Sequence, residues 1–408
     1  MENVYIRIND DTNQVDTIIL DGEDGFSNIR VAIRNNLSDI SNTATLYHDA
    51  IGLRMGATTT IRTFDNEVSI TAANNDNVFI AVDGGEMVVR IGSQEQFRTA
   101  KRILVEPHTA GSETTFNSIS RNLGTPRYKG HLEFSIVNNR ILAINDIDLE
   151  LYLHRVVPSE MPASFHIEAL KAQSVAARTY AYMDILNKSN EKFGFAVDDS
   201  ISSQVYNNQV ENATTTSAVN QTKGMVMKSG DAFVGAFYYS TSAGITASAH
   251  EVWIQNAGAL PNPTPYLMGQ NLTYDLSGNL VTFDPTSEAS MLSFFQQIRL
   301  DTPDSGSRFH RWKVELTPVQ LRNILNSHLS DMYTASPQLI LTKVDQNFIS
   351  RPIPSDVGVV SDMRITQRGE SGVVIRLEIT TATGVYQIIN QYNIRFTLRT
   401  VSSSAGSN

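Results

Sequence analysis

Cysteine is absent from this 408-residue sequence, which removes disulfides, thiolate metal sites and cysteine nucleophiles together and fits either side of a membrane. Positive charge is scarce: 32 Lys and Arg stand against 42 Asp and Glu, a net charge of −10. No broad basic surface is therefore available to draw in nucleic acid or anionic lipid by counterion release. No apolar run reaches the roughly 18 residues of a membrane helix, and MENVYIRIND has no charged region leading into an apolar one. The chain is expected to be cytosolic, or a mature or trimmed product without its export signal. Also missing are GxSxG and any HExxH or comparable pair among eight histidines. His154, His166 and His250 have no spacing that nominates a base, so serine hydrolysis and metal catalysis are both poorly supported.

There is ample material for a core, with 41% hydrophobic residues over a length that suggests two or three domains. Residues 1 to about 125 read as β-rich. VYIRI, VDTIIL, ATTTIRTF, VSITAA, NVFIAV and EMVVRIG are short β-branched runs between Asp, Asn and Gly clusters. FSNIRVAIRNNL reads as a short helix and FRTAKRILVEP as a further strand. Gly84 and Gly85 read as a hairpin turn, not a phosphate loop, because no helix follows. The polar segment HTAGSETTFNSISRNLGTP suggests a boundary near Pro126.

Beyond it, RYKGHLEFSIVNNRILAINDIDLELYLHRVV reads as two or three strands with a turn at Asn138 and Asn139. The stretch Tyr152 to Tyr182 joins the most signals: a short β-like run, then Pro158 and Pro162 bracketing Glu160, then an alanine-rich helix. Two prolines fix the backbone around Glu160 as a rigid elbow. Ser164 reads as the N-cap of a helix from about Phe165 to Leu186. Its alanines, spread around much of the circumference, suit a central, enclosed helix. Lys171 and Arg178, seven apart, share a stripe with Ser174, and two cations on a mostly buried helix need partners or a polar cleft.

Downstream, SSQVY supplies Gln204 and Tyr206, and a hairpin turns at Ser229 and Gly230. In strand geometry Tyr238, Ser240 and Ser242 share a face, an arrangement of hydroxyls that suits a polyhydroxylated or amide-bearing ligand. SMLSFFQQIRL reads as an amphipathic helix, and RFHRWKVELTPVQLRNIL as a strand entering a helix at Pro318. Residues 357 to 401 read as strands ending in IRFTLRTV, before a disordered tail, SSSAGSN.

An acid in a rigid elbow near hydroxyls and cations fits general acid–base work. Glycoside chemistry usually needs two carboxylates, and only one acid here is constrained. That favours a reaction whose nucleophile belongs to the substrate. Alternatives stay open at this level: Glu160 as a structural partner of Arg178 or Lys171, those cations as caps of buried carbonyls, and Tyr206 and Tyr238 as packing residues. Nearby cations lower a carboxylate's pKa and burial beside Met161 and Phe165 raises it, and sequence does not say which prevails.

RYKGHLEFSIVNNRILAINDIDLELYL and VVPSEMPASFHIEALKAQSVAARTYA, followed in order by SSQVY, AFYYSTSAGIT, EVW and PYL, resemble the SpoIID/LytB family of bacterial peptidoglycan-processing proteins. The resemblance covers about Arg127 to Leu267. It implies lytic cleavage of the β-1,4 bond between N-acetylmuramic acid and N-acetylglucosamine, leaving anhydro-muramyl ends, with Glu160 as the single acid/base. By motif, it implies Lys171, Arg178, Gln204, Tyr206, Tyr238, Ser240 and Ser242 as substrate-binding residues. Peptidoglycan glycan strands and other cell-wall hydrolases are the implied partners, and the implied location is extracytoplasmic, in the envelope or secreted. Ala243 replaces the usual first glycine of the S-G-G turn. Members carrying zinc use Cys and His after the helix, and KFGFAVDDSIS has neither, so no metal and no other cofactor is expected. A non-catalytic glycan-binding module or amidase enhancer is the alternative function.

The expected fold is α+β: a β-rich N-terminal region over 1–125, which anchors to wall or to a partner enzyme in the alternative reading, then a catalytic region over 126–400. In the latter, mixed strands surround the alanine-rich helix, and 401–408 form the tail.

Overall fold

The computed structural model describes residues 3–9, 14–21, 27–37, 42–121, 123–187, 190–206, 209–256, 259–297 and 302–400, with backbone alone for 3–9 and 14–21. The expected tail at 401–408 lies outside them, as do residues 298–300 of the SMLSFFQQIRL segment. The fold is α+β, and the chain forms two compact units, Met1–Tyr238 and Tyr239–Asn408. None of the described helices is long and apolar enough to cross a membrane.

In the first unit, short β-branched runs become the strands of two sheets. Asn28–Ala32, Arg140–Asp148, His131–Val137, Ile103–Pro107 and Thr59–Thr63 lie in sequence within one, with Val197–Asp198 added in parallel to Asn28–Ala32. Glu86–Ile91, Asn77–Asp83 and Ala50–Arg54 are neighbours in the other. Strands on either side of Pro126 share both sheets: Ile103–Val105 pairs with Leu132–Phe134, and Thr114–Thr115 with Arg127–Tyr128. The chain therefore divides at Tyr238/Tyr239, not near Pro126, because the inward residues of both halves fill one core. Ile29, Val31, Ile51, Leu53, Val105, Phe116 and Phe134 are buried together there, each such side chain stabilising by about 1.5–3 kcal/mol.

Two hairpin turns sit where expected. Asn138 and Asn139 both have positive φ, 50° and 59°, between paired Val137 and Arg140. Gly84 and Gly85, at 62° and 85°, do the same between Asp83 and Glu86, the type I′ pattern that matches strand twist. FSNIRVAIRNNL is corrected from helix to strand over Asn28–Ala32, since its partner Arg140–Asp148 supplies a ladder on which Ile29 and Val31 turn inward.

The β-like run at Tyr152 is corrected as well. Helix α1 spans Leu149–Glu160, capped by Asp148, whose side chain accepts from the N–H groups of Glu150 and Leu151. Leu149, Tyr152, Leu153, Val156 and Val157 recur at helical spacing and are all buried. Pro158 is tolerated in the last turn, and Met161, in extended conformation, ends the helix ahead of Pro162. Helix α2 spans Ile167–Asn187. Its start is served by His166, whose carbonyl accepts from Ala169 and Leu170 and whose Nδ1 accepts from Glu168 N–H; Ser164 is exposed and takes no part. Leu170, Gln173, Ser174, Ala177, Arg178 and Ala181 form one buried stripe, while Ala172 is exposed. The helix is thus packed on one side and not enclosed. Helix α3, Ala213–Gln221, completes this group.

The second unit carries the short helix α4, Ala249–Val252, and α5, Glu288–Gln296. Its five-stranded antiparallel sheet runs Asn347–Ile349, Ile340–Val344, Gly384–Ile389, Val374–Thr381, Val360–Arg368. Helix α6, Pro318–Ala335, starts on a capping box between Thr317 and Gln320. Its Leu321, Leu325 and Leu329 cover the face holding Ile340, Leu377, Ile379 and Ile388. The alternate residues Leu341 and Ile389 turn to the other face, where they cluster with Ile254, Leu339 and Ile375. The expected strand at RFHRWKVEL is not formed: residues 312–317 have no ladder partner. IRFTLR is helical, lying mostly within α7, Gln391–Thr397.

Candidate functional site

Glu160 is the last residue of α1, where the negative end of the helix dipole and partial burial both disfavour a charged carboxylate. Burial is the dominant influence and pushes its pKa above the ordinary value; the Val205 backbone N–H and the Tyr238 hydroxyl, both bonded to the carboxylate, pull the other way. The Val205 N–H donates to Oε1 at 2.7 Å. Lys171 and Arg178 are not among its partners, so the tension between cations and burial resolves in favour of burial.

The segment carrying Val205 is fixed from below by buried ion pairs. Asp199 bonds Arg121 at 2.6 Å and accepts from the Arg34 N–H, while Asp198 pairs with the Arg34 guanidinium at 2.9 Å. Removing one partner of such a pair costs about 3–5 kcal/mol. Gln204, fully buried, then reaches across: its Nε2 donates to the Ala177 carbonyl on α2 and to the Tyr238 hydroxyl, at 3.2 and 3.0 Å. Its Oε1 accepts from Tyr152 at 3.3 Å. Gln204 thus orients the phenol that bonds Glu160. The Tyr238 hydroxyl, itself pushed up first by burial and then by the Glu160 charge, stays protonated as a donor.

The other expected site residues fall elsewhere. Tyr206 is buried, packs its ring at a tilt against Tyr152 and Tyr128, and donates to Asn145 Oδ1 at 2.8 Å, so it packs the core. Arg178, 1% exposed, grips Glu150 with two bonds of 2.8 and 2.7 Å and caps the carbonyls of Met225 and Val219. Lys171 pairs at 2.8 Å with Glu168, one turn back on α2. Of the two outcomes expected for these cations, partners or a polar cleft, the structure shows partners: each has its carboxylate. Ser240 and Ser242 belong to the second unit, and residues 234–243 form no strand, so the shared face with Tyr238 does not arise. Ser242 is buried on Asp304, to which its N–H and hydroxyl both donate at 2.7 Å. Ser240 is exposed.

One further residue of α2, Tyr180, joins the neighbourhood of Glu160, and Asp184 lies one turn beyond it. The Tyr180 ring meets Tyr238 edge-on at 6.5 Å, and its hydroxyl is pushed up to about 12 by burial and by the charges of Asp184, Asp198 and Glu160. Asp184, one turn further on and half-buried, is raised to about 6 by burial and then by Asp198. Tyr180 falls inside the VVPSEMPASFHIEALKAQSVAARTYA stretch, whereas Asp184 has only helical spacing to mark it. Among the described residues there is no group of three His, Asp or Glu able to hold a metal ion. What the arrangement offers is a carboxyl that takes and gives a proton, held by two fixed donors.

Residues 137–228, which hold Glu160, Gln204, Arg178 and the segments that position them, match the family model described as SpoIID, Stage II sporulation protein. This segment is similar to the SpoIID family. The SpoIID relatives include the "Amidase enhancer" of Bacillus subtilis, 42% identical over 123 residues, 30% of this chain and 15% of that protein. The "Stage II sporulation protein D" of the same organism is 35% identical over 125 residues, 27% of this chain and 36% of the relative. An uncharacterised protein of Brachyspira hyodysenteriae is 28% identical over 226 residues, 54% of this chain and 61% of its own length. The chain thus spans less than two thirds of each of these curated relatives, and the SpoIID likeness is concentrated in the first unit.

Proposed function

We propose that this chain acts on the glycan strands of bacterial cell wall, outside the cytoplasmic membrane, as a lytic transglycosylase with Glu160 as its acid/base. In the proposed step Glu160, protonated, gives its proton to the oxygen that leaves C1 of the N-acetylmuramic residue. The 6-hydroxyl of the same residue attacks C1, and the Glu160 carboxylate takes up the hydroxyl proton, so the products are an anhydro-muramyl end and a free N-acetylglucosamine 4-hydroxyl with no water consumed. The observation that carries this reading is the setting of Glu160: a carboxyl biased toward protonation by burial, yet steadied in its charged form by Val205 N–H and Tyr238. A group with that balance can serve both halves of the step. Incubation of purified glycan strands with wild type and Glu160→Gln, read by mass spectrometry, tests it.

A second reading is favoured by the 42% identity to a protein named "Amidase enhancer": the chain binds glycan without cutting it and raises the activity of a cell-wall amidase. It predicts co-sedimentation with glycan that is unchanged in Glu160→Gln, and no anhydro-muramyl product from wild type.

A further inference from the structure

The second unit contains a cavity of about 500 Å³ with no charged side chain in its lining, a volume within the range of small-ligand sites. Its apolar floor is made by Ile254 and Leu339, both buried in one cluster with Ile375 and Ile389. Its rim carries two aromatic rings, Trp253 and Tyr392, that remain 49% and 53% exposed. The lining also holds six carboxamides, Gln255, Asn256, Gln338, Asn390, Gln391 and Asn393, of which Asn390 and Asn393 are buried and Asn393 donates to the Ile389 carbonyl at 2.9 Å.

The walls are tied together before any ligand arrives. Asn390 donates from Nδ2 to the Ile254 carbonyl at 3.0 Å and accepts at Oδ1 from the Tyr392 N–H at 2.8 Å. Its φ is +81°, a conformation that a residue with a side chain keeps only when its surroundings hold it there. Gln338 reaches the Gln255 carbonyl at 3.4 Å. The position of Trp253 follows from its neighbour in the EVW motif. Glu251 is buried and accepts from the N–H groups of Glu370 and Ser371 at 2.5 and 3.1 Å, and from the Ser371 hydroxyl, pinning α4. The turn can approach because residue 369 is glycine: a Cβ there would lie 2.2 Å from the Glu251 carboxyl carbon.

Exposed aromatic rings beside a concave array of carboxamides have a specific chemical complement. A pyranose ring offers an apolar C–H face to stack on an aromatic ring, and equatorial hydroxyl and acetamido groups that both donate and accept, as Asn and Gln side chains do. A lining without charge gives phosphates, carboxylates and cationic peptides no ion pair to offset their desolvation. We propose that this cavity is a binding site for neutral N-acetylated sugar, with Trp253 and Tyr392 as stacking faces. All its lining residues lie in the second unit, and the proposal does not rest on the activity assigned to Glu160.

The chain has two tryptophans, Trp253 and Trp312, so the full-length Trp312→Phe variant reports on Trp253 alone. Titrated with a β-1,4-linked N-acetylglucosamine tetramer, its fluorescence is expected to change saturably, with a Kd between about 10 μM and 10 mM. Calorimetry with the same tetramer is expected to show at least about 10-fold weaker binding for Trp253→Ala and a several-fold loss for Gln391→Ala, as for truncation of a central contact. Melting temperatures unchanged from wild type certify the fold, and Gln391→Ala carries the test if Trp253→Ala melts early. The proposal is overturned if the tetramer gives no saturable change, if both variants bind it as wild type does, or if an uncharged peptide amide saturates the signal and the sugar does not.

Discussion

The backbone N–H of Val205 donates to Oε1 of Glu160 at 2.7 Å across 45 residues of sequence, so the carboxylate is held by main chain that cannot swing away. Tyr238 bonds the same carboxylate and is itself set by Gln204 at 3.0 Å. Both donors favour the charged form, against burial. Replacing Tyr238 with Phe removes one of them and raises the Glu160 pKa further. The alkaline limb of the pH–activity profile is expected to move to higher pH, with a fall in turnover of about 10- to 100-fold. An unmoved limb would show that the phenol does not act through Glu160.

Asp184 supplies a prediction about stability. Its folded pKa of about 6 lies above the ordinary 3.8, so the folded chain binds this proton more tightly than the unfolded chain. That contribution is complete below the unfolded value and is lost as pH rises through the folded one. Asp184→Asn is therefore expected to raise the melting temperature at pH 7.5 and leave it nearly unchanged at pH 3.5, where about 2–4 °C corresponds to 1 kcal/mol for a unit of this size. A larger gain at pH 3.5 than at 7.5 contradicts this.

Arg178 and Lys171 are separated by their partners. Arg178→Lys cannot reproduce two parallel bonds to Glu150 and leaves a partly buried carboxylate poorly matched. Calorimetric unfolding of Arg178→Ala is expected to show a loss of about 3–5 kcal/mol, with the lysine variant intermediate. Lys171→Ala, which deletes a partly exposed pair one turn long, is expected to stay within about 0.5 kcal/mol of wild type.

In the second unit, Gly369→Ala places a methyl group on the Glu251 carboxylate, itself held by three hydrogen bonds. The carboxylate has nowhere to retreat. A loss of about 2–4 kcal/mol, read as an earlier thermal transition, is expected, and a melting curve equal to wild type would show that the turn yields instead.

Local rules carried much of the fold in the first unit. The Asn138–Asn139 and Gly84–Gly85 turns were legible because positive φ at both central residues selects such pairs. Helix α1 was not: the run Tyr-Leu-His-Arg-Val-Val suggests a strand, whereas its burial follows the 3.6-residue period from Leu149 to Val157. The division at Tyr238/Tyr239 has no composition shift to mark it. At the candidate site, Glu160 stood out through its two flanking prolines, and the order of family motifs tied it to Gln204 and Tyr238. Their mutual bonds span 34 to 78 residues and left no local trace. Nor did the stripe shared by Lys171 and Arg178 disclose that Glu168 and Glu150 already neutralise them, since spacing shows a face and not a partner.

The central claim is that the Glu160 carboxyl breaks a glycosidic bond. Purified peptide-free glycan strands digested side by side with wild type and Glu160→Gln, both with the same melting temperature, and analysed by mass spectrometry test it most directly. Anhydro-muramyl ends from wild type and a loss of at least about 100-fold in their rate of formation by the variant are expected, as for removal of a general acid–base. Equal product from both proteins, or none from wild type, would contradict the claim.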